Sequence, residues 1–428
     1  MILNFFNSRF FLVLLFPFTL GVLTVFSFQP FNLSYINFII FPILFLITTY
    51  VKKKSKNTFR KKPYLLNLFL IGYLFGIGFF LSGTHWISHS LTFDENFRFL
   101  IPVAIIGLPL FLGIFFGLAN LTVGPFLQNN FISILLFAGS YALMDYFRGN
   151  FFSGFPWNTW AYTWSWSPEI LQPLFYFGFY SFNLFCIFFY CIPLLLIFRK
   201  KIYYIIFFLI SLIFFSNYIY GFSIIKKNNE NLTKFKNTIY TKIISPNFKL
   251  KYNLSNIDLG KNISRLIKYS EPEANKKTLF IWPEGAFSGF NFKQVKEYQN
   301  LFEESFSENH LILFGSNTTK ENLNNFETFN SLIVTNNKLD IIYQYNKTKL
   351  VPFGEFLPFE NILTKIGIKK ITEGYGSFSA GSNNNIFTIN DLKMLPLICY
   401  EIIFPELSEN EKNLIVNISE DAWFGDTI

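Results

Sequence analysis

The stretch I-I-K-K-N-N-E-N, Ile224 to Asn231, divides the chain into two kinds of sequence. Before it run long apolar segments broken by short basic or aromatic loops. After it, short apolar runs alternate with polar, helix-like stretches. The break therefore predicts two domains, residues 1–224 and 225–428, that bury their apolar surface in different ways.

The amino-terminal part is too apolar for a water-soluble core. Over all 428 residues the chain is 51% hydrophobic, 21% aromatic and only 15% charged. An ordinary soluble domain carries about 25% charged residues. A bilayer crossing takes roughly 17–25 residues, and candidates lie near 9–27, 34–51, 63–82, 99–124, 131–148, 171–198 and 202–222. The first resembles the core of a signal peptide, but no small-residue cleavage site follows it, so it reads as an anchor.

Loop charges orient this bundle of about seven helices. V-K-K-K-S-K-N-T-F-R-K-K (51–62) and R-K-K (199–201) fall on one side if the spans alternate. The positive-inside rule makes that side cytoplasmic. T-H-W-I-S-H-S, the loop after the fifth span and everything beyond about residue 225 then face outward. The formal charge of +9 is thus a topology signal, and no nucleic-acid partner is expected.

In the second half, T-I-Y-T-K-I-I, T-L-F-I-W, L-I-L-F-G-S, N-S-L-I-V-T, L-D-I-I-Y-Q-Y, M-L-P-L-I-C and N-L-I-V-N-I-S read as strands, and 256–270 and 293–307 as helices. Interleaved strands and helices predict a layered α/β domain.

This domain holds one cysteine, Cys399 in I-C-Y-E; the other two, Cys186 and Cys191, lie in an apolar span. A lone cysteine is most often packing. Here it is accompanied by Glu284 in W-P-E, Lys347 in Y-N-K and Glu355 in F-G-E, each at the end of an apolar run. His310, the domain's one histidine, sits at a helix-to-strand turn and reads as a surface residue, which leaves a carboxylate as the base for the thiol. Free Cys and Glu differ by about four pKa units, roughly 6 kcal/mol against proton transfer. Burial and a second carboxylate raise a Glu, and an ammonium stabilises a thiolate, so Glu284, Glu355 and Lys347 supply the needed influences. Taken singly, each has a plain alternative: Glu284 or Glu355 as a turn or cap acid, and Lys347 with Lys349 as a solvated basic pair.

Taken together, the Glu, Lys and Cys resemble the triad of the nitrilase, or carbon-nitrogen hydrolase, superfamily. Y-N-K-T-K-L-V-P-F-G-E, I-C-Y-E, D-A-W-F-G and R-G-N-F-F-S-G-F-P-W (148–157) are similar to the membrane-embedded branch, the apolipoprotein N-acyltransferase family. The resemblance implies an α-β-β-α sandwich outside the membrane, with Glu284 as general base, Lys347 holding the oxyanion and Cys399 as the acylated nucleophile. It implies supporting roles for Glu355 as a second essential glutamate, for Tyr400 and Glu401 beside the thiol, and for Asn330 in F-N-S-L. Tyr252, in K-L-K-Y, stands where the family often has a tryptophan. The chain departs from the family at Glu420, where S-E-D-A-W-F-G replaces the usual Asn, and by stopping at G-D-T-I, read as a C-terminal truncation.

The implied reaction takes an acyl chain from a membrane phospholipid, phosphatidylethanolamine being expected, through a thioester to the N-terminal amine of a diacylglyceryl-cysteine apolipoprotein. No metal or organic cofactor is implied, His85 and His89 lack further ligands, and a monomer in the bacterial inner membrane is expected, its catalytic domain on the periplasmic side. The rival readings are a membrane-tethered amidase using the same triad and a non-catalytic transporter or binding protein. Trp157, Trp160, Trp164 and Trp166 read as an interfacial aromatic belt.

Overall fold

The computed structural model describes residues 8–57, 64–93, 95–232, 239–248, 254–322, 325–360, 377–382, 386–389, 391–408 and 411–425, with 6 and 365. Tyr252 lies outside the described residues. The chain forms two compact units, one of Met1–Ser88 with Arg98–Lys234, the other of His89–Phe97 with Phe235–Ile428.

Among the described residues seven helices are long and apolar enough to cross a membrane: Phe10–Ser27, Ser34–Lys54, Tyr64–Thr92, Phe97–Val123, Phe131–Asn150, Phe179–Ile197 and Lys201–Asn231. The sixth starts later than its apolar pattern, because Gly178 adopts φ +76° after the short turn of helix Leu174–Phe177 and breaks the run. The last helix continues to Leu232 through the polar stretch that ends the apolar pattern. No Gly or Pro stops it there.

Small residues set the helix spacing. A Cβ on Gly21 would lie 2.0 Å from the Phe75 carbonyl oxygen and one on Gly72 would lie 2.2 Å from that of Phe116. The backbones touch where glycine allows it. Trp160 and Trp164 are not interfacial, as the belt reading expects, but buried at 0% and 6% exposure. Trp160 stacks on Phe79 with ring centroids 4.8 Å apart, and Trp164 on Tyr190 at 6.0 Å. Only Trp166 of the four is strongly exposed. Arg148 ties down the same loop. Buried against Asp145 at 2.8 Å, it donates to the Phe155 and Trp157 carbonyls, while Asn183 donates to the other Asp145 oxygen. A buried charge pair with these backbone and side-chain partners fixes the loop's path at a desolvation cost its hydrogen bonds must offset.

The second unit is built on two sheets. Strands β1 (Tyr240–Ile243), β2 (Thr278–Ile281), β3 (His310–Asn322), β4 (Asn325–Thr335) and β5 (Ile341–Asn346) follow one another in order, the first three parallel and the rest antiparallel. Strands β6 (Phe387–Ile389), β7 (Leu392–Ile398) and β8 (Leu414–Ile418) form the other sheet, with β7 and β8 parallel.

Period-two alternation assigns the faces. Phe280, Ile312, Phe314 and Ile333 turn to one side, onto Leu259, Ile263 and Leu266 of helix α1 (Asn256–Ser270). Leu279, Leu313, Leu332 and Val334 turn to the other, onto Met394, Ile398, Val416 and Ile418 of the second sheet. Helix, sheet and sheet are three layers of the expected α-β-β-α sandwich. Helix α1 opens on a capping box in which Ser255 Oγ accepts from Asp258 N and Asp258 Oδ2 accepts from Ser255 N. The 293–307 helix is broken into α2 (Phe292–Lys296) and α3 (Gln299–Ser305).

Candidate active site

Open α/β sheets offer sites at the carboxyl ends of their strands. Glu284 begins a turn just after β2, Lys347 follows β5, and Cys399 follows β7. Ser419 and Glu420 follow β8. Cys399 has φ +55°, so the strand bends sharply at the thiol. A side chain other than glycine rarely accepts that conformation, and such strain collects where function requires it.

Glu401 holds the bend. Wholly buried, it accepts hydrogen bonds from Ile398 N, Thr348 N, Lys349 N and the Tyr345 hydroxyl, at 2.7 to 3.0 Å. One carboxylate therefore ties the backbone beside Lys347 to the backbone beside Cys399. Tyr400 adds a second tie, its hydroxyl donating to the Leu350 carbonyl at 2.8 Å.

Lys347 is 1% exposed and lies 2.9 Å from Glu355 Oε1 and 3.6 Å from Glu284 Oε1. Lys349, two residues on, is a third exposed and pairs with Glu406, so the two lysines are not one solvated pair. Asn330 Nδ2 donates to Glu284 Oε1 at 2.8 Å and to Glu355 Oε1 at 2.7 Å. The second Glu355 oxygen accepts from Val351 N, and the second Glu284 oxygen from Glu420 N. The two acids are thus held at fixed positions around one ammonium, as partnered buried charges must be.

Their electrostatics follow. Burial pushes the Glu284 carboxyl above its ordinary value, against the pull of Lys347, with the Glu355 charge adding to the rise. Burial alone would lower Lys347, but Glu355, Glu284 and Cys399 together hold it well above the usual lysine value, so it stays cationic. The thiol differs from the sequence-based expectation of a stabilised thiolate. Burial and then Glu284 push Cys399 up to about 12, outweighing the downward pull of Lys347. With one cation already shared by two carboxylates, a resting thiolate would add a further negative charge. Proton transfer from sulfur to Glu284 moves charge without adding any.

Among the expected site residues, Glu284, Asn330, Lys347 and Glu355 form one hydrogen-bonded network, while Tyr400 and Glu401 brace it. Ser419 Oγ lies 3.8 Å from Cys399 Sγ and donates to Asp421 Oδ1 at 2.7 Å. Ser419 was not legible as a site residue except through its place beside D-A-W-F-G. His310 is buried rather than at the surface: Nδ1 accepts from Ser307 N, and Nε2 lies 3.0 Å from the Glu273 carbonyl. It staples a turn under the sheet.

Residues 20–192 match the model of the apolipoprotein N-acyltransferase N-terminal domain, and residues 250–428 match that of carbon-nitrogen hydrolases. An apolipoprotein N-acyltransferase of Rickettsia prowazekii is 31% identical over 415 residues, covering 95% of this chain and 79% of that protein. One of Rhizobium rhizogenes is 29% identical over 419 residues, covering 95% and 78%. Among solved structures, the NitN amidase of Nesterenkonia has a TM-score of 0.29 at 12% identity, covering 42% of this chain and 67% of that one.

Proposed function

Because the chain belongs to the apolipoprotein N-acyltransferase family, we infer that it acylates the N-terminal amine of apolipoproteins in a bacterial membrane, using Glu284, Lys347 and Cys399. The observation that carries the assignment of residues is the single network in which Asn330 and Lys347 hold both Glu284 and Glu355, with the charges of Glu284 and Lys347 acting on the thiol.

In the first half-reaction the sulfur attacks an ester carbonyl of a phospholipid, phosphatidylethanolamine in our reading, while the thiol proton passes to Glu284. The new carbon–sulfur bond places negative charge on the carbonyl oxygen, which Lys347 stabilises. As the ester carbon–oxygen bond breaks, Glu284 returns its proton to the leaving alkoxide, releasing lysophospholipid and leaving a thioester. In the second half, the amine of a diacylglyceryl-cysteine N-terminus attacks the thioester. Its proton passes through Glu284 to the departing sulfur, and an amide remains. Glu355 and Asn330 keep Glu284 and Lys347 in place, and Tyr400 and Glu401 hold the bend that carries Cys399.

The working division is a membrane part, residues 1–224, and a catalytic part, residues 225–428, in a monomer. The basic loops at 51–62 and 199–201 support an inner-membrane orientation with the catalytic part on the periplasmic side. One assay tests reaction and orientation together. Right-side-out membrane vesicles containing the protein and phosphatidylethanolamine should acylate an impermeant diacylglyceryl peptide added outside. Hydrolysis of small amides without transfer would favour the amidase reading, and transfer only in inverted vesicles would reverse the orientation.

A further inference from the structure

The departure at Glu420 has a structural consequence. Its backbone N–H donates to Glu284 Oε2 at 3.1 Å, and its side-chain Oε1 accepts from Ala422 N at 3.3 Å. Its other oxygen lies where a side chain on Gly285 would begin: a Cβ there would be 1.4 Å from Glu420 Oε2. A side chain at position 285 would have to displace this carboxyl. A third acid therefore stands against the residue next to Glu284, on a loop whose preceding residue, Ser419, touches the sulfur.

We propose that Glu420 is a positioning residue whose ionisation strengthens Glu284 as the base for Cys399. This rests on the reaction proposed above. When sulfur attacks, Glu284 accepts a proton and loses its negative charge, while negative charge appears at the carbonyl oxygen beside Lys347. An ionised carboxylate packed against the Glu284 turn repels charge on Glu284 and favours that transfer. A protonated Glu420 has no such effect.

The charged groups facing Glu420 are Glu284, from the turn after β2, and Asp421, from its own turn; Lys347 and Glu355 stand behind Glu284. His89 lies against Gly425 at the far end of the same loop. Burial, then the Glu284 and Asp421 charges, raise Glu420 to about 7, although the Ala422 N–H pulls it down. The Glu420 charge therefore develops as pH rises through neutrality.

The test is the pH profile of single-turnover acylation of Cys399 by phosphatidylethanolamine, followed in the detergent-solubilised protein. The wild-type rate should rise in two steps, the upper one centred near pH 7. Glu420→Gln keeps the loop's hydrogen bond to Ala422 but cannot ionise. It should match wild type at about pH 5.5 and be roughly three- to tenfold slower at about pH 8.5, with the upper step gone. Glu420→Asp should restore that step. An upper step that survives in Glu420→Gln, or an equal loss at every pH, would overturn the proposal. If the wild type itself forms no acyl-cysteine, it is the reaction proposed above that fails, so the two failures are distinguishable.

Discussion

At the scale of single residues, the proposed reaction moves one proton without changing the net charge of the site. Lys347 is a fixed cation between Glu284 and Glu355, and Cys399 rests as a thiol because burial and the neighbouring carboxylates disfavour a further anion. The base must then act as the bond forms. In its proposed role Glu284 can take the proton only when ionised, and its pKa is raised by burial. Acylation accordingly falls as pH drops through that raised value. Glu284→Gln keeps the hydrogen-bonding shape but cannot take the proton. Its acylation rate, measured by rapid quench with phospholipid in excess, should drop by about 10²–10⁴. A loss smaller than tenfold would remove Glu284 from the role of base.

At the scale of elements, the site is made by strand ends that sequence pattern locates and by braces that it does not. The apolar runs before W-P-E, Y-N-K and C-Y-E are short and end in polar residues, so β2, β5 and β7 were legible, as was the capping-box helix α1. Strand β6 is three residues long and pairs with β7 across a tight connection, too short for alternation to register. Glu401 was legible as a neighbour of the thiol, but its link to Thr348 and Lys349 spans more than 50 residues and belongs to tertiary structure. Trp160 and His310 illustrate the same limit: composition says what such residues usually do, and packing decides where they go. Because Glu401 accepts from several donors at once, Glu401→Gln should leave at least one buried N–H facing an amide N–H. That costs on the order of 1–3 kcal/mol, seen as a lower melting temperature together with slower transfer. Melting and transfer both unchanged from wild type would show that Glu401 does not hold the bend.

At the scale of the whole molecule, the two units follow two separate rules in one sequence. The first satisfies its backbone within helices and packs them through glycines and buried aromatic rings, because a membrane offers no hydrogen bonds to a polypeptide. The second uses period-two strands to bury both faces of one sheet and one face of another. The polar stretch at 224–231 marks where the apolar pattern ends, yet the helix runs on to Leu232, and residues His89–Phe97, which lie among the spans in sequence, belong to the second unit. Neither boundary is written in hydropathy, since the first depends on helix propensity and the second on contacts distant in sequence.

The most direct measurement of the central claim is mass spectrometry of the Cys399 peptide after the protein has met phosphatidylethanolamine with no acceptor present. The account predicts an added acyl mass on Cys399 that hydroxylamine removes, that an apolipoprotein amine discharges as an amide, and that Cys399→Ala abolishes. Acyl transfer at full rate by a protein whose Cys399 stays unmodified throughout would contradict it.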